Sequence, residues 1–300
     1  MTNGNYLLRS LMFVPGHSEK LLKSAARSDA DALLFDLEDS VQPSSNKEIA
    51  RKTILQHVEA GIFSDFQIFP RVNDRESGHL LKDLAALTIE GIDGFMCPKA
   101  HNGDDIYFFD RLLETIEYEK GFPRGKFKII PLIETAAAVL NAQHICQASD
   151  RVVGIAFGCE DFITDIEGIH DKDEQSLFTP RAMIAMAARA NNVIPIDTAH
   201  IHVHDLEDLE KNLIIAKNLG FEGMLVLHPK ELPLVHQYFT PAPSEIADAE
   251  EILRLYEDAQ KLGKGVALMN GKFIGPPMVA NSKNVLRKLA LIQKKEKHEA

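Results

Sequence analysis

Short apolar segments alternate along the chain with longer segments of helical period. The apolar segments do not alternate with polar residues, and continuous apolar runs are typical of parallel strands that helices cover. Eight such strands are predicted, at residues 10–14, 32–37, 66–72, 94–98, 127–133, 151–158, 193–197 and 223–227. Amphipathic segments between them, such as 47–61 and 208–220, end at glycine, as helices often do. Eight βα units in about 240 residues favour a closed (β/α)8 TIM barrel over an open sheet.

The chain after residue 240 follows a different pattern. Its proline-flanked start predicts one helix over 241–265, Asn270-Gly271 is a strong hairpin-turn signal, and a last helix is predicted over 279–293. We therefore predict a catalytic barrel at residues 1–240 and a C-terminal helical and hairpin extension at 241–300. The extension is expected to serve as a lid or in oligomerisation.

Composition narrows the class of protein. The formal net charge of -11 argues against a nucleic-acid partner, which needs a basic face, although a local cationic pocket can still bind a small anion. The three cysteines share no metal-binding spacing and predict free thiols in a reducing compartment. The start, MTNGNYLLRS, lacks the pattern of a secretory signal, and no run approaches the roughly 18 apolar residues of a membrane span. The sequence predicts a cytoplasmic protein with no membrane partner.

Polar residues follow the predicted strands at their carboxyl ends, where TIM barrels carry their chemistry. Carboxylates dominate this set, with Glu38, Asp39, Glu134, Glu160, Asp161 and Asp197. Converging carboxylates repel one another, and a divalent cation resolves this. Mg2+ takes one or two carboxylates and leaves positions for substrate oxygens. Because Glu134 and Asp161 end adjacent strands, we predict that both hold one ion.

Other interpretations of these residues stay open. The carboxylates could form salt bridges with Arg71 and Lys99, and Asp39 and Asp197 could only cap helices. Arg71, in the segment PRVN, has a planar fork suited to a carboxylate or a polarised carbonyl, and this role is compatible with a pair to Glu38 or Asp39. Lys99 is a candidate Schiff-base lysine, although an amine beside several carboxylates stays protonated.

Histidines and a cysteine offer further candidates. At strand spacing, His200, His202 and His204 would share one face and suit a transition metal, whereas the alternative is a polar loop that leads into a helix. Cys159 has no histidine close to it in sequence, so it is expected to be a small packing residue rather than a nucleophile.

The motifs, taken in order, resemble the citrate lyase β-subunit-like group of the HpcH/HpaI aldolase and citrate lyase superfamily. The matching stretches are RSLMFVPG, LLFDLEDSV, PRVN, IIPLIETAAAVLNA, VVGIAFGCEDF, IDTAH, LGFEGMLVLHPKEL, FTPAPSEI and NGKF, which cover nearly the whole chain. IPLIET, followed by AFGCEDF and LHP, is the most specific part. The resemblance implies Mg2+-dependent cleavage or formation of a carbon–carbon bond in a 3-hydroxyacyl thioester of coenzyme A or acyl-carrier protein, such as citramalyl-CoA, malyl-CoA or a citryl thioester. It also implies a homotrimer, and Mn2+ is expected to substitute for Mg2+.

The resemblance implies that Glu134 and Asp161 hold the metal and that Arg71 binds the carbonyl end of the substrate. Together with the strand-end pattern, it leads to an assignment for each candidate. Arg71, Glu38 and Asp39 are assigned to catalysis, Arg71, Glu134, Pro15 and Gly16 to substrate binding, Phe13, Lys20 and Lys23 to the CoA moiety, and Glu134 and Asp161 to the metal. Glu38 and Asp39 are expected to orient water at the metal.

The sequence departs from the family pattern at two places. Related CoA lyases carry an aspartate in the tail hairpin that enters a neighbouring subunit's site as acid or base, and Gly275 stands there. Relatives also often carry an arginine after the PG of the first strand, where Ser18 stands here and Lys20 or Lys23 is the candidate substitute. Two alternatives therefore stay open, a pyruvate-type class II aldolase acting on free hydroxy acids and a catalytically impaired regulatory homologue. Thioester dependence tests the first, and intact Mg2+ binding without turnover tests the second.

Overall fold

The computed structural model describes residues 6–170, 174–263 and 265–299, so residues 1–5, which entered the signal-sequence argument, lie outside the described part. Within it, the chain divides into two compact units. The first spans residues 8–237, and the second comprises residues 6–7 together with the chain from Tyr238 onward. No helix in the described ranges is both long and apolar enough to cross a bilayer.

The first unit is a barrel of eight parallel strands. The strands are β1 Ser10–Pro15, β2 Ala32–Asp36, β3 Gln67–Ile68, β4 Gly94–Cys97, β5 Lys128–Ile133, β6 Gly154–Phe157, β7 Ile194–Asp197 and β8 Gly223–Val226. Their order is β3-β2-β1-β8-β7-β6-β5-β4. Arg71 joins the two ends of this order, because its backbone bridges both Asp36 and Met96. The predicted (β/α)8 TIM barrel is confirmed.

Helices cover the outside of the strands, as the continuous apolar pattern requires. They are α1 Glu19–Ala25, α2 Asn46–Glu59, α3 Leu80–Leu87, α4 Gly103–Lys120, α5 Ala136–Leu140, α6 Ala142–Gln147, α7 Cys159–Asp165, α8 Gln175–Ala190, α9 Leu206–Leu219 and α10 Leu232–Phe239. Every residue of β2, β4, β6, β7 and β8 is buried. Two helices end as the sequence indicates, since Gly121 after α4 and Gly220 after α9 adopt the left-handed conformation that glycine allows.

The third strand is shorter than the predicted segment 66–72. Regular pairing covers only Gln67–Ile68. Backbone hydrogen bonds nevertheless continue from Arg71 to Phe35 and from Met96 to Pro70. The chain therefore stays in the barrel wall up to Arg71, which places the side chain of Arg71 at the carboxyl end.

The second unit contains the predicted tail elements. They are α11 Pro243–Lys261, the antiparallel strands β9 Ala267–Met269 and β10 Lys272–Ile274, and α12 Pro276–Glu299. Asn270 and Gly271 both have positive φ, as a tight hairpin turn requires. Ile252, Ile274 and Val279 form a small core of this unit. The last helix is longer than the predicted 279–293 at both ends. At its start, Pro276 and Pro277 occupy a first turn that needs no N–H donor, so they begin the helix rather than precede it.

Candidate active site

An ion pair lies at the carboxyl ends of β2 and β3. The Arg71 Nε donates to Asp36 Oδ1 at 2.7 Å, and its Nη2 donates to Asp36 Oδ2 at 2.8 Å. Both side chains are buried. Burial alone would raise the pKa of Asp36, but the hydrogen bonds and charge of Arg71 outweigh it and lower that pKa to about 2. The pair is therefore charged at neutral pH, and it fixes the plane of the guanidinium.

The segment that follows β2 brings Glu38 and Asp39 to the same guanidinium. The Nη1 of Arg71 lies 3.2 Å from Glu38 Oε2 and 3.3 Å from Asp39 Oδ2. The Asp39 side chain is 62% exposed and that of Glu38 only 6%. Lys47 on α2 holds this segment in place, because its ammonium donates to the carbonyls of Leu37 and Glu38 at 2.8 and 2.6 Å. Both predicted catalytic carboxylates thus lie beside Arg71.

Lys99, after β4, lies between two carboxylates. Its Nζ is 3.1 Å from Glu38 Oε1 and 3.2 Å from Asp74 Oδ2. Partial burial would lower the pKa of Lys99, but these two carboxylates raise it above its ordinary value. A permanently protonated amine is a poor nucleophile, which disfavours the Schiff-base alternative.

Glu134 ends β5 and is only 2% exposed. Its Oε1 accepts a hydrogen bond from the backbone N–H of Lys99 at 2.7 Å. A Cβ on Gly158, after β6, would lie 2.9 Å from the Glu134 Cβ, so glycine there leaves room for the carboxylate. Burial, followed by the charges of Glu38 and Asp161, raises the pKa of Glu134 to about 8. The charge of Asp161 is among those that raise this pKa, which supports the prediction that the two carboxylates share one ion.

The donor set around Glu134 fits a divalent cation. Among the residues that the structure describes, no lysine, arginine or histidine side chain lies within ion-pair distance of Glu134. Asp161, in the first turn of α7, is exposed and offers a second carboxylate. A buried carboxylate that no side-chain cation neutralises is costly to ionise unless an external cation binds it. Two hard oxygen donors match the small number of protein ligands that Mg2+ takes.

Asp197 has a structural partner. It is fully buried at the end of β7, and both of its oxygens accept from the guanidinium of Arg181 on α8. Arg181 also donates to Glu174 at 2.9 Å. Asp197 is therefore neither a free carboxylate that faces the site nor a simple helix cap. Its charge is neutralised by Arg181 inside the barrel wall.

The histidines of HIHVH lie in the loop between β7 and α9, as the polar-loop alternative has it. His200 is 5% exposed, whereas His202 and His204 are exposed. They line an open cleft of about 1440 Å³ together with Glu160 and His170. Their even spacing therefore reflects no strand.

Residues assigned to the substrate and to CoA lie around β1. The ring of Phe13 contacts Arg71, whose Cζ is 4.8 Å from the ring centroid. The N–H of Gly16 donates to the Asp36 carbonyl, and a Cβ at Gly16 would lie 2.8 Å from that oxygen, so close packing explains the glycine of the PG pair. Pro15 precedes it at the end of the strand.

The charged residues of α1 are less constrained. Lys20 and Lys23 are exposed, and Lys23 pairs with Glu19 one turn earlier. Ser18, where the resemblance predicts an arginine, accepts from the Leu21 N–H and caps α1. The structure therefore brings Phe13 to the Arg71 cluster and leaves both lysines on the helix surface, where they meet no other member of the site.

Three residues of the site are not predicted from the sequence. Asp36 lies one residue before the end of the apolar run 32–37, Lys47 lies inside a helix, and Asp74 follows PRVN. The aspartate in LLFDL is a usable signal, because a charge at the end of a buried strand needs a partner. Nothing in the sequence marks Lys47 or Asp74.

Comparison with known proteins shows the family. Residues 9–229 match the model of the family described as HpcH/HpaI aldolase/citrate lyase. The citrate lyase subunit beta of Leuconostoc mesenteroides subsp. cremoris is 31% identical over 285 residues, which are 95% of this chain and 94% of that protein. The mitochondrial citramalyl-CoA lyase of Rattus norvegicus is 28% identical over 98% of this chain and 90% of its own.

A solved structure agrees with this family. The protein CitE from Mycobacterium tuberculosis, in complex with magnesium, acetoacetate and coenzyme A, superposes with a TM-score of 0.70 at 26% identity. The match covers 94% of this chain and 99% of that one. This chain therefore belongs to the HpcH/HpaI aldolase/citrate lyase family and is a carbon–carbon lyase of that family.

Proposed function

We propose that this protein is a Mg2+-dependent lyase that cleaves or forms the carbon–carbon bond of a 3-hydroxyacyl thioester, such as citramalyl-CoA, malyl-CoA or a citryl thioester. The observation that carries the proposal is Glu134, a buried carboxylate that has no side-chain cation within ion-pair distance among the described residues and whose pKa is raised by burial and by the charges of Glu38 and Asp161. The names of the relatives support the thioester, since they include a citramalyl-CoA lyase and citrate lyase β-subunits. The M. tuberculosis complex, with magnesium and coenzyme A together, supports the pairing of the two groups.

Glu134 and Asp161 would hold the metal ion. When bound, a divalent cation lowers the pKa of a coordinated hydroxyl and stabilises negative charge on oxygen. Mn2+ is expected to substitute, because it also prefers carboxylate and water ligands. Asp161, which is exposed, and Glu134, which is buried, would leave the remaining coordination positions to substrate and water.

The residues of the chain supply the proton transfer and the orientation. In the cleavage direction, the substrate hydroxyl loses its proton as the bond to the α-carbon breaks, and the bonding electrons pass to the thioester as an enolate. Glu38 is suited to take that proton, because burial raises the pKa of its carboxyl. Arg71, oriented by Asp36, presents its guanidinium to the developing oxyanion.

The remaining assignments complete the proposal. Phe13, beside Arg71, would contact the acyl or pantetheine portion, and Lys20 and Lys23 on the surface of α1 would attract the phosphates of coenzyme A. Pro15 and Gly16 would form the wall of the substrate pocket. We also propose that the tail unit acts as a lid within a homotrimer. The cytoplasmic location and the acyl-carrier-protein alternative stay predictions.

The test is a screen of acyl-CoA thioesters with Mg2+ that measures release of pyruvate, glyoxylate and oxaloacetate. We expect activity to vanish with a chelator and to return with Mg2+ or Mn2+. Glu134→Gln and Asp161→Asn should fold normally and lose activity, whereas Glu167→Gln, a matched control at an exposed site just after α7, should keep it. Turnover that resists chelation, with borohydride trapping at Lys99, would show a Schiff-base aldolase instead. Equal turnover of the free hydroxy acids would favour a class II aldolase that needs no thioester.

A further inference from the structure

A second group of potential metal ligands lies at the start of α7 and in the segment that follows it. The ligand atoms of Cys159, Glu160 and His170 all lie within 4.8 Å of one another. His170 Nδ1 is 2.6 Å from Glu160 Oε1, and Cys159 Sγ is 3.7 Å from the same oxygen. The sequence hides this group, because ten residues separate Glu160 from His170 and the turns after α7 bring them together.

The chemistry of the three donors differs from that of Glu134 and Asp161. Thiolate and imidazole are borderline or soft donors that favour Zn2+, Co2+ or Ni2+ over Mg2+. One thiolate, one imidazole and one carboxylate make a mixed set with a single position left for a fourth ligand. Because Mg2+ prefers oxygen ligands to a thiolate and an imidazole, this group and the pair Glu134 and Asp161 can bind different ions.

The supporting contacts are those that a metal site needs. The backbone N–H of Cys159 donates to Thr198 Oγ1 at 3.2 Å, which fixes the thiol at the first turn of α7. His170 Nε2 lies 3.9 Å from Glu174 Oε1, and Glu174 is in turn held by Arg181. A carboxylate behind the second ring nitrogen is the arrangement that orients metal-binding histidines.

An independent observation comes from the cleft on which these groups lie. Glu160 and His170 line it, and so does His200, which is 5% exposed. The Nε2 atom of His200 is buried and has no hydrogen-bond partner among the described residues. A buried nitrogen without a partner costs free energy unless a ligand or water satisfies it. Burial lowers the pKa of His200, which disfavours the charged form of the ring.

We propose that Cys159, Glu160 and His170 bind a divalent transition-metal ion, of which Zn2+ is the best match, with its fourth position open to the histidine-lined cleft. On binding, the metal–sulfur bond forms as the S–H proton of Cys159 is released to water. The His170 Nδ1 proton, which lies against Glu160 Oε1, moves through solvent to Nε2, beside Glu174 Oε1, so that Nδ1 and the Glu160 oxygen can both bind the ion. The site shares no ligand with the proposed Mg2+ site, although its ligands Cys159 and Glu160 occupy the same helical turn as Asp161. Its occupation therefore fixes the turn that carries one Mg2+ ligand.

The test is a Co2+ titration of the full-length protein, with Mg2+ in excess to keep Co2+ away from Glu134 and Asp161. We expect one equivalent of Co2+ to give a near-ultraviolet thiolate-to-metal absorption band that Zn2+ abolishes by displacement. Cys159→Ser should remove the band, and His170→Gln should weaken Co2+ binding by more than the roughly 10- to 100-fold that loss of a supporting carboxylate costs. Cys97→Ser and Cys146→Ser are matched controls, since both are also buried cysteines, and should keep the band.

Two results of the Co2+ titration bear directly on Cys159. Absence of the band in the wild type, or its persistence in Cys159→Ser, overturns the proposal. Should Cys159→Ser fail to fold, His170→Gln decides, because His170 is only partly buried and lies outside the core. Unchanged Co2+ affinity in a folded His170→Gln protein overturns the proposal as well. Loss of the band by Glu134→Gln would assign the signal to the other site and is equally contrary.

Discussion

The guanidinium of Arg71 is held flat against the Asp36 carboxylate by two parallel hydrogen bonds of 2.7 and 2.8 Å. Two of its three nitrogens are thus occupied, and the third lies near Glu38 and Asp39. Orientation of a cationic group before the substrate arrives lowers the reorganisation cost of stabilising an oxyanion. Asp36 is in this sense a positioning residue for Arg71.

The first prediction concerns Asp36→Asn. Removal of one partner leaves the other charge buried, and we expect a loss of about 3–5 kcal/mol in the free energy of unfolding at pH 7. Because the folded pKa of Asp36 is lowered to about 2, its stabilising contribution is present above the unfolded pKa near 4 and is lost as pH falls through about 2. Denaturant unfolding between pH 2 and 7 should show a smaller acid-induced loss in the variant.

The control for this variant is Asp31→Asn. Asp31 makes an equivalent buried pair with Arg9, at 2.8 Å, at the opposite end of the barrel strands. It should lose comparable stability and keep its KM for the thioester. Equal stability of Asp36→Asn and the wild type at neutral pH would contradict our view of the pair.

The second prediction concerns Arg71→Lys. This change keeps the charge and removes the planar fork. We expect kcat/KM to fall by roughly two to three orders of magnitude, because the oxyanion loses an oriented donor. Steady-state kinetics on the protein that remains folded measure this. A loss below about tenfold would leave Arg71 a structural partner of Asp36 only.

The third prediction concerns Gly275, where the family resemblance leads us to expect an acid. Within 4 Å and apart from the chain neighbours, a Cβ there would meet one atom of the described residues, Pro277 Cδ at 3.8 Å. The backbone φ is not positive, so the position tolerates a side chain. We expect Gly275→Asp to raise turnover of a malyl- or citramalyl-type thioester and to speed proton exchange into the acyl product. The introduced carboxylate could instead accept the Met278 N–H and cap α12, and a higher Tm without faster turnover would show this.

If the wild type is already fast, another group protonates the enolate. Asp39 is the candidate, because its side chain is 62% exposed beside Arg71. Asp39→Asn should then abolish turnover and leave Mg2+ binding intact, which calorimetry can measure. If the wild type turns over rapidly and Asp39→Asn turns over equally fast, neither an acid at position 275 nor Asp39 is the proton donor, and both hypotheses are wrong.

The fourth prediction concerns assembly. The tail unit exposes Leu262, Leu268 and Phe273 at 72, 61 and 69%. Leu268 and Phe273 are cross-strand partners on the hairpin, and exposed apolar side chains of this kind favour contact with another subunit. We expect an oligomer, a trimer by family resemblance, in sedimentation at micromolar concentration, and a shift toward monomer in Phe273→Asp. Tyr118→Asp, at an equally exposed position on α4, should not shift it, and a monomeric wild type would rule the assembly out.

The sequence predicts the barrel because its strands are apolar throughout, and their polar ends locate Glu38, Glu134 and Arg71. It cannot show which way each end residue points. Asp197 is the last residue of β7, much as Glu134 follows β5, yet its side chain pairs with Arg181 in the barrel wall, since only the folded chain brings α8 beside β7. The Asp36–Arg71 pair likewise depends on the register of two strands 35 residues apart.

The backbone of Arg71 joins β2 to β4, and regular pairing of β3 spans just two residues. The seam of the barrel and the cationic centre of its site are thus the same residue. A local opening there would part Arg71 from Asp36 while the strands on the far side remain paired. Proteins lose regions of low local stability before they unfold globally. Heat or denaturant should therefore inactivate this enzyme by local unfolding around Arg71, at a free energy of opening smaller than the free energy of unfolding the whole barrel.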